Sequence, residues 1–222
     1  MAKDKPQAKS LSGLPRLPPG RHGLSREYVV KNQRERIAGG VIAVVVERGY
    51  ADATVTQIVT AAGVSRRTFY NYYSDREDAF FDIYRQVTDF LCEAMAGAGA
   101  AQKGGWPVRV RAELAALLES FAANPDLVRF CLVAPPAAGG EVAGAYREFL
   151  ERLLGTLCEG RPKRAKQPPP AAEYGLVGGL AALLVAAVED GGAEGLTGLL
   201  SEAVELVLTP YLGRTEAVKA AR

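Results

Sequence analysis

Residues 54–80 read TVTQIVTAAGVSRRTFYNYYSDREDAF, and three helix starts are written into them. Thr54 is a good N-cap, and Gln57 three residues later can reach back to close a capping box. The helix it opens, Val55 to Ala62, stops at Gly63, where glycine accepts the left-handed conformation that ends a helix. Ser65 caps a second helix, Arg66 to Tyr72. Ser74 caps a third, with Glu77 at the matching position and Asp75 and Asp78 beside its positive end. Two short helices joined by a glycine-containing turn form a helix-turn-helix pattern. Val64, Phe69 and Tyr73 lie on its inward side, which leaves Arg66, Arg67, Thr68, Tyr70, Asn71 and Tyr72 outside or on the flanks. Guanidinium, hydroxyl, amide and phenol groups read base edges and hold phosphates. A helical hairpin with a solvated charged face fits the same spacing.

A helix-turn-helix pair is too small to bury its own apolar face, so a third helix is required. Upstream, Asn32 with Glu35 offers an N-cap for a helix over Gln33–Arg48, closed by Gly49, with Ile37, Val41, Val44 and Val45 as its inward stripe. Ser25–Lys31 is expected as a short separate leading helix. Gly39 and Gly40 inside the main helix cost about 1 kcal/mol each relative to alanine, which close packing against a neighbour would offset. Residues 1–24 are too polar and proline-broken to pack and are expected as a disordered basic arm, either along phosphates or an inert tail. They contain His22, the chain's one histidine.

With 222 residues, 48% of them apolar, the chain can bury a sizeable core. Apolar residues recur at three and four, and strand-like alternation is almost absent, so the fold class is all-α. Residues 1–80 carry 13 Lys and Arg against 8 Asp and Glu, and the remainder 14 against 17. That split suits a nucleic-acid-contacting head on a body not drawn to the duplex. Cys92, Cys131 and Cys158 are odd in number and far apart, so neither a disulfide framework nor a metal site is implied, and each reads as a small buried hydrophobe. The N-terminus has no apolar core of a signal peptide, and a cytoplasmic location is expected. The uncharged run Tyr174–Val188 is too short for a bilayer of about 30 Å and reads as a buried helix.

AAGVSRRTFYNYYSDREDAF resembles the signature of TetR-family transcriptional regulators: Ala-Gly-Val-Ser, two variable residues, Thr, an aromatic pair, then Ser-x-Lys-Glu. ERGYADATVTQIV ahead of it is similar to the same family, and the resemblance runs without a gap from Gln33 to about Tyr84. Asn71, Tyr73 in place of phenylalanine, Val59 in place of alanine and Arg76 in place of lysine depart from the pattern.

The resemblance implies a three-helix DNA-binding domain over 25–80 and a helical ligand-binding and dimerisation domain over 81–222. It implies a homodimeric regulator, usually a repressor, released from a palindromic double-stranded operator by a small-molecule effector, with no membrane association and no cofactor. A regulator without a ligand, or one controlled by a partner protein, is the alternative. Arg66 and Arg67 are candidates for base contact, followed by Tyr70 and Asn71, with Tyr72 and Arg76 on phosphate. Thr54 and Thr56 could donate to a phosphate, Ser65 opens the recognition helix, and Thr68 could contact DNA or cap.

In the body, helices are expected over 75–96, 108–123, 125–133, 141–159, 171–189 and 193–212. A flexible connection is expected over Gly97–Gly105, and an unpacked solvent loop over Gly160–Pro170. By the same resemblance, the first of these helices joins head to body as a lever. A pocket is implied, with Tyr84, Thr88, Phe121, Phe130, Cys131, Tyr146, Phe149 and Leu150 as candidates, though aromatic residues at helical spacing also form ordinary core. Gly175, Gly179, Ala182 and Ala186 on one helix face, and Leu196, Leu200, Ala203 and Val207 on the next, are the expected dimer surface. An enzyme is not expected, because no nucleophile has a visible base and no metal cluster can be drawn.

Overall fold

The computed structural model describes residues 25–222; the basic arm over 1–24 and His22 lie outside them. No strand occurs among the described residues. The chain divides into two compact units between Ile83 and Tyr84.

The first unit contains α1 (Arg26–Arg48), α2 (Val55–Ala62), α3 (Arg66–Tyr70) and the start of α4 (Arg76–Ala100). Ile37, Val41, Val44 and Val45 are buried on α1, as the stripe requires, and meet α2 with Ile58, Val59 and Ala62. Gly40 lies where the helices touch. A Cβ there would stand 2.8 Å from the Ile58 carbonyl oxygen and 2.9 Å from Ala62 Cβ, so only glycine lets the backbones approach.

Three local expectations are corrected. Ser25–Arg48 holds one continuous helix, capped by Ser25 Oγ accepting the Tyr28 N–H at 3.2 Å. Asn32 caps nothing; it is a mid-helix residue, 2% exposed, whose side-chain oxygen and nitrogen both lack a hydrogen-bond partner. A buried amide without partners costs about 1–3 kcal/mol. Leucine has nearly the same branched shape, so Asn32→Leu should raise the unfolding free energy by about 1 kcal/mol or more, measured by urea titration. The cap of α4 is Asp75, not Ser74: Asp75 Oδ1 accepts the Glu77 and Asp78 N–H groups at 2.9 and 2.8 Å. Asp78 Oδ2 reaches back to the Ser74 N–H at 2.9 Å. The carboxylate caps where the hydroxyl was expected because a charged acceptor can take two amides at once.

The second unit packs the rest of α4 with α5 (Trp106–Ala123), α6 (Asp126–Val128), α7 (Ala134–Ala138), α8 (Gly140–Cys158), α9 (Pro170–Gly198), α10 (Leu200–Leu212) and α11 (Arg214–Ala221). Helix α4 outruns its expected end by four residues, so the connection to α5 shrinks to 101–105. The helix expected over 125–133 is instead α6 followed by a π turn, Arg129–Val133. Gly192 (φ 57°, ψ −136°) breaks α9, and α11 was not anticipated. The C-terminal carbonyl of α11, at Ala221, accepts from Arg111 at 2.7 Å and Ser201 at 3.0 Å.

The loop after α8 is tied down rather than unpacked. Arg161 bridges to Glu173 at 2.9 Å and lies over the Tyr211 ring, and the Lys166 N–H donates to the Tyr211 carbonyl at 3.1 Å. Cys158 is half-buried and 3.4 Å from the Tyr211 hydroxyl, whereas Cys92 and Cys131 are buried as expected.

Glu113 on α5 is fully buried. One carboxylate oxygen faces Arg109 at 3.4 Å, and the other has no partner. Burial pushes its carboxyl above the usual glutamate range, which Arg109 only partly offsets. A raised folded pKa contributes stability below the unfolded value of about 4.3, and that stability is lost as pH rises through the folded pKa. Glu113→Gln should remove this component, so its melting temperature relative to the native chain should climb as pH is raised from 4 to 8.

Candidate nucleic-acid interface

The helix-turn-helix is built by short-range capping. Thr54 Oγ1 accepts the Gln57 N–H at 3.3 Å while Gln57 Oε1 accepts the Thr54 N–H at 2.8 Å, closing the capping box. The Thr54 hydroxyl itself donates to Gln57 at 2.7 Å. Gly63 ends α2 in the left-handed conformation (φ 60°, ψ 35°). Ser65 Oγ then accepts the Thr68 N–H at 3.0 Å, and the two hydroxyls lie 2.8 Å apart. Ser65 and Thr68 thus form the local cap of α3, whatever else they touch.

Helix α3 ends at Tyr70, two residues short of expectation. Phe69 is fully buried and Tyr73 nearly so, and between them they set the rotation of α3. Arg66, Arg67, Tyr70 and Asn71 are consequently exposed together, and the two guanidinium groups share the first turn. Thr56 is also exposed on the first turn of α2. Tyr72 is half-buried, its hydroxyl donating to Gln33 Oε1 on α1 at 2.7 Å. Beneath this surface the Tyr73 hydroxyl donates to Asp82 at 2.9 Å, and Arg34 approaches the same carboxylate at 3.3 Å. Burial, then the Asp82 carboxylate, pushes the Tyr73 phenol up to about 12, so it remains a donor.

Two arginines hold the frame. Arg36, in the buried stripe of α1, donates to the Gly63 carbonyl at 2.5 Å and so pins the turn between α2 and α3. Sequence reasoning missed it, although an arginine four residues from Asn32 inside an apolar stripe was the available signal. Arg76 was expected on phosphate. Its Nη1 instead donates to the carbonyls of Tyr50, Ala51 and Ala53 at 3.0, 2.8 and 2.7 Å, and its guanidinium lies 5.1 Å from the Tyr50 ring centroid. Arg76 therefore locks the α1–α2 loop to the head of α4.

The eight expected pocket residues all lie in the second unit, and seven of them are buried; Tyr146 is half-buried. The Tyr84 ring lies tilted 5.9 Å from Phe130 and edge-to-face 6.4 Å from Phe149, and Thr88 donates to the carbonyl of Tyr84 at 3.0 Å. The expected dimer surface is only partly available. Gly175, Ala182 and Ala186 are exposed and Gly179 half-buried, but Leu196, Ala203 and Val207 are buried in their own chain, with Leu200 half-buried. On α10 the outward residues are Glu202, Leu206, Thr209 and Pro210, which with Glu205 line a shallow depression. Helix α10 is apolar on two sides, and its periodicity did not say which side its own chain covers.

Residues 42–83 match the bacterial regulatory proteins of the tetR family. No curated protein sequence matches the chain. Among solved structures, the fatty acid degradation regulator FadR from Bacillus halodurans is similar with a TM-score of 0.68 at 20% identity, over 78% of this chain and 97% of that one. FadR from Bacillus subtilis, in complex with stearoyl-CoA, is similar with a TM-score of 0.65 at 19% identity, over 79% and 97%. A gamma-butyrolactone receptor (ArpA-like protein) gives 0.58 at 16%, over 87% and 96%.

Proposed function

We propose, for a chain with the fold of TetR-family transcriptional regulators and that family's N-terminal DNA-binding domain, that it is a homodimeric repressor released from a palindromic operator by a small molecule. The observation that carries the reading is the exposed set Arg66, Arg67, Tyr70 and Asn71 on a helix whose rotation is fixed by buried Phe69 and Tyr73. Arginine at the start of a recognition helix can take guanine through two parallel hydrogen bonds. Thr56, and the amides at the head of α2 beside Thr54, suit phosphate. A single helix-turn-helix reads few base pairs, and two-fold symmetry doubles them.

Helix α9 supports the dimer. It is long and apolar enough to cross a membrane by length and composition, yet only 33% of its most apolar stretch is buried within the chain. Small residues on its open side allow a second copy to approach closely, beside Leu206 of α10. The protein then acts in the cytoplasm as a binding protein, without a catalytic step. An apolar effector suits the buried apolar side chains Phe121, Phe130, Phe149 and Leu150 of the second unit, in keeping with the acyl thioester and lactone named for the two relatives. Control by a partner protein is the second reading, favoured by the closed packing of those same residues.

Selecting bound fragments from a random DNA pool at near-physiological salt tests the reading. An enriched inverted repeat is the expected result; a folded dimer that enriches nothing would count against it.

A further inference from the structure

Cys131 stands at the centre of the π turn Arg129–Val133. A helical carbonyl takes its N–H from four residues on in an α turn and from five residues on in a π turn. For Cys131 those residues are Pro135 and Pro136, and neither carries an N–H. The preceding amide, Ala134, is committed to the Arg129 carbonyl. The double proline thus strands the Cys131 carbonyl beside a side chain that is 0% exposed. The missing donor arrives from another helix: Tyr84 on α4, itself 3% exposed, donates its hydroxyl to the Cys131 carbonyl at 3.1 Å. Phe130 and Phe149 both contact the Tyr84 ring. Burial pushes the phenol far above the ordinary tyrosine range, so it stays protonated and able to donate.

We infer that the Tyr84–Cys131 hydrogen bond is a latch between α4 and the π turn, and that the effector is an apolar molecule whose neutral donor, a hydroxyl or amide N–H, replaces Tyr84 on that carbonyl. This rests on the ligand-regulated reading above. A hydrocarbon or ether pushed into the site would strand the carbonyl again, whereas an alcohol or amide would not. The effector's differential affinity for the unlatched form sets how far α4 is released. Helix α4 starts among the residues of the first unit, so its release reaches the DNA-binding residues through continuous backbone.

The test compares the native chain, Tyr84→Phe and Tyr84→Ala on an operator fragment recovered by selection. Tyr84→Phe keeps the ring and removes the donor, and it should weaken operator binding by about fivefold or more. Tyr84→Ala leaves a ring-sized cavity of the kind that binds small aromatics. Added 4-methylphenol, the free tyrosine side chain, fills that cavity and satisfies the carbonyl, so it should restore the melting temperature, but being detached from α4 it should leave operator affinity low. Toluene, the same shape without the donor, should restore neither. Tyr84→Phe binding within twofold of native, or toluene rescuing as well as 4-methylphenol, would overturn the latch. Should Tyr84→Ala not fold, the Tyr84→Phe comparison decides alone. A native chain that selects no operator overturns the DNA-binding reading instead, and the two probes then judge the latch on melting temperature.

Discussion

Replacing Arg76 by methionine should lower the stability of the chain by about 2–4 kcal/mol, because charge-assisted hydrogen bonds contribute about 1.5–3 kcal/mol each and the carbonyls they leave are partly buried. Three carbonyls of the α1–α2 loop converge on Nη1, which carries two hydrogens, so at least one bond is shared. Methionine keeps much of the apolar stem and removes the donors, which confines the effect to the hydrogen bonds and the contact with the Tyr50 ring. Arg76→Lys is the control. An ammonium has three donors for three carbonyls, and lysine is the residue the TetR resemblance leads one to expect here, so most of the stability should return. Urea unfolding of the three proteins measures this. Equal stability of Arg76→Met and the native chain would return Arg76 to the list of free phosphate contacts.

Arg67→Ala should leave stability unchanged and cost about 1–3 kcal/mol of base discrimination, roughly 5- to 150-fold between the selected operator and unrelated DNA. Arg67 is exposed and no salt bridge among the described residues involves it, so nothing in the fold depends on its guanidinium. Loss of discrimination at one symmetric pair of positions distinguishes base reading from phosphate contact, which would weaken all sequences alike and reduce the salt slope by about one. Competition binding on single-position operator variants reads the difference. Uniform weakening would move Arg67 from base to backbone and leave Arg66 as the candidate reader.

The cap chemistry of the helix-turn-helix was legible because each cap joins residues three apart: Thr54 with Gln57, Ser65 with Thr68. Such pairs need no knowledge of the rest of the fold. The inward stripe of α1 and the packing role of Gly40 were legible for a related reason, since helical periodicity places those residues on one face before any neighbour is known. Asn32 failed as a cap because its propensity was outweighed by the continuous helix from Ser25, and Ser74 failed because the carboxylate beside it is the stronger acceptor.

By itself, then, the sequence determined an all-α chain, three correctly ordered helices at the head, and the outward position of Arg66, Arg67, Tyr70 and Asn71, since these follow from contacts within one or two turns. Tertiary structure alone decided that Arg76 would meet carbonyls 23 to 26 residues upstream. It likewise decided that Ala203 and Val207 would face their own core, and that Tyr84 would find a carbonyl 47 residues away. The physical reason is common to all of these. A polar or apolar side chain states what kind of partner it needs, but only the packing of distant helices states where that partner will be.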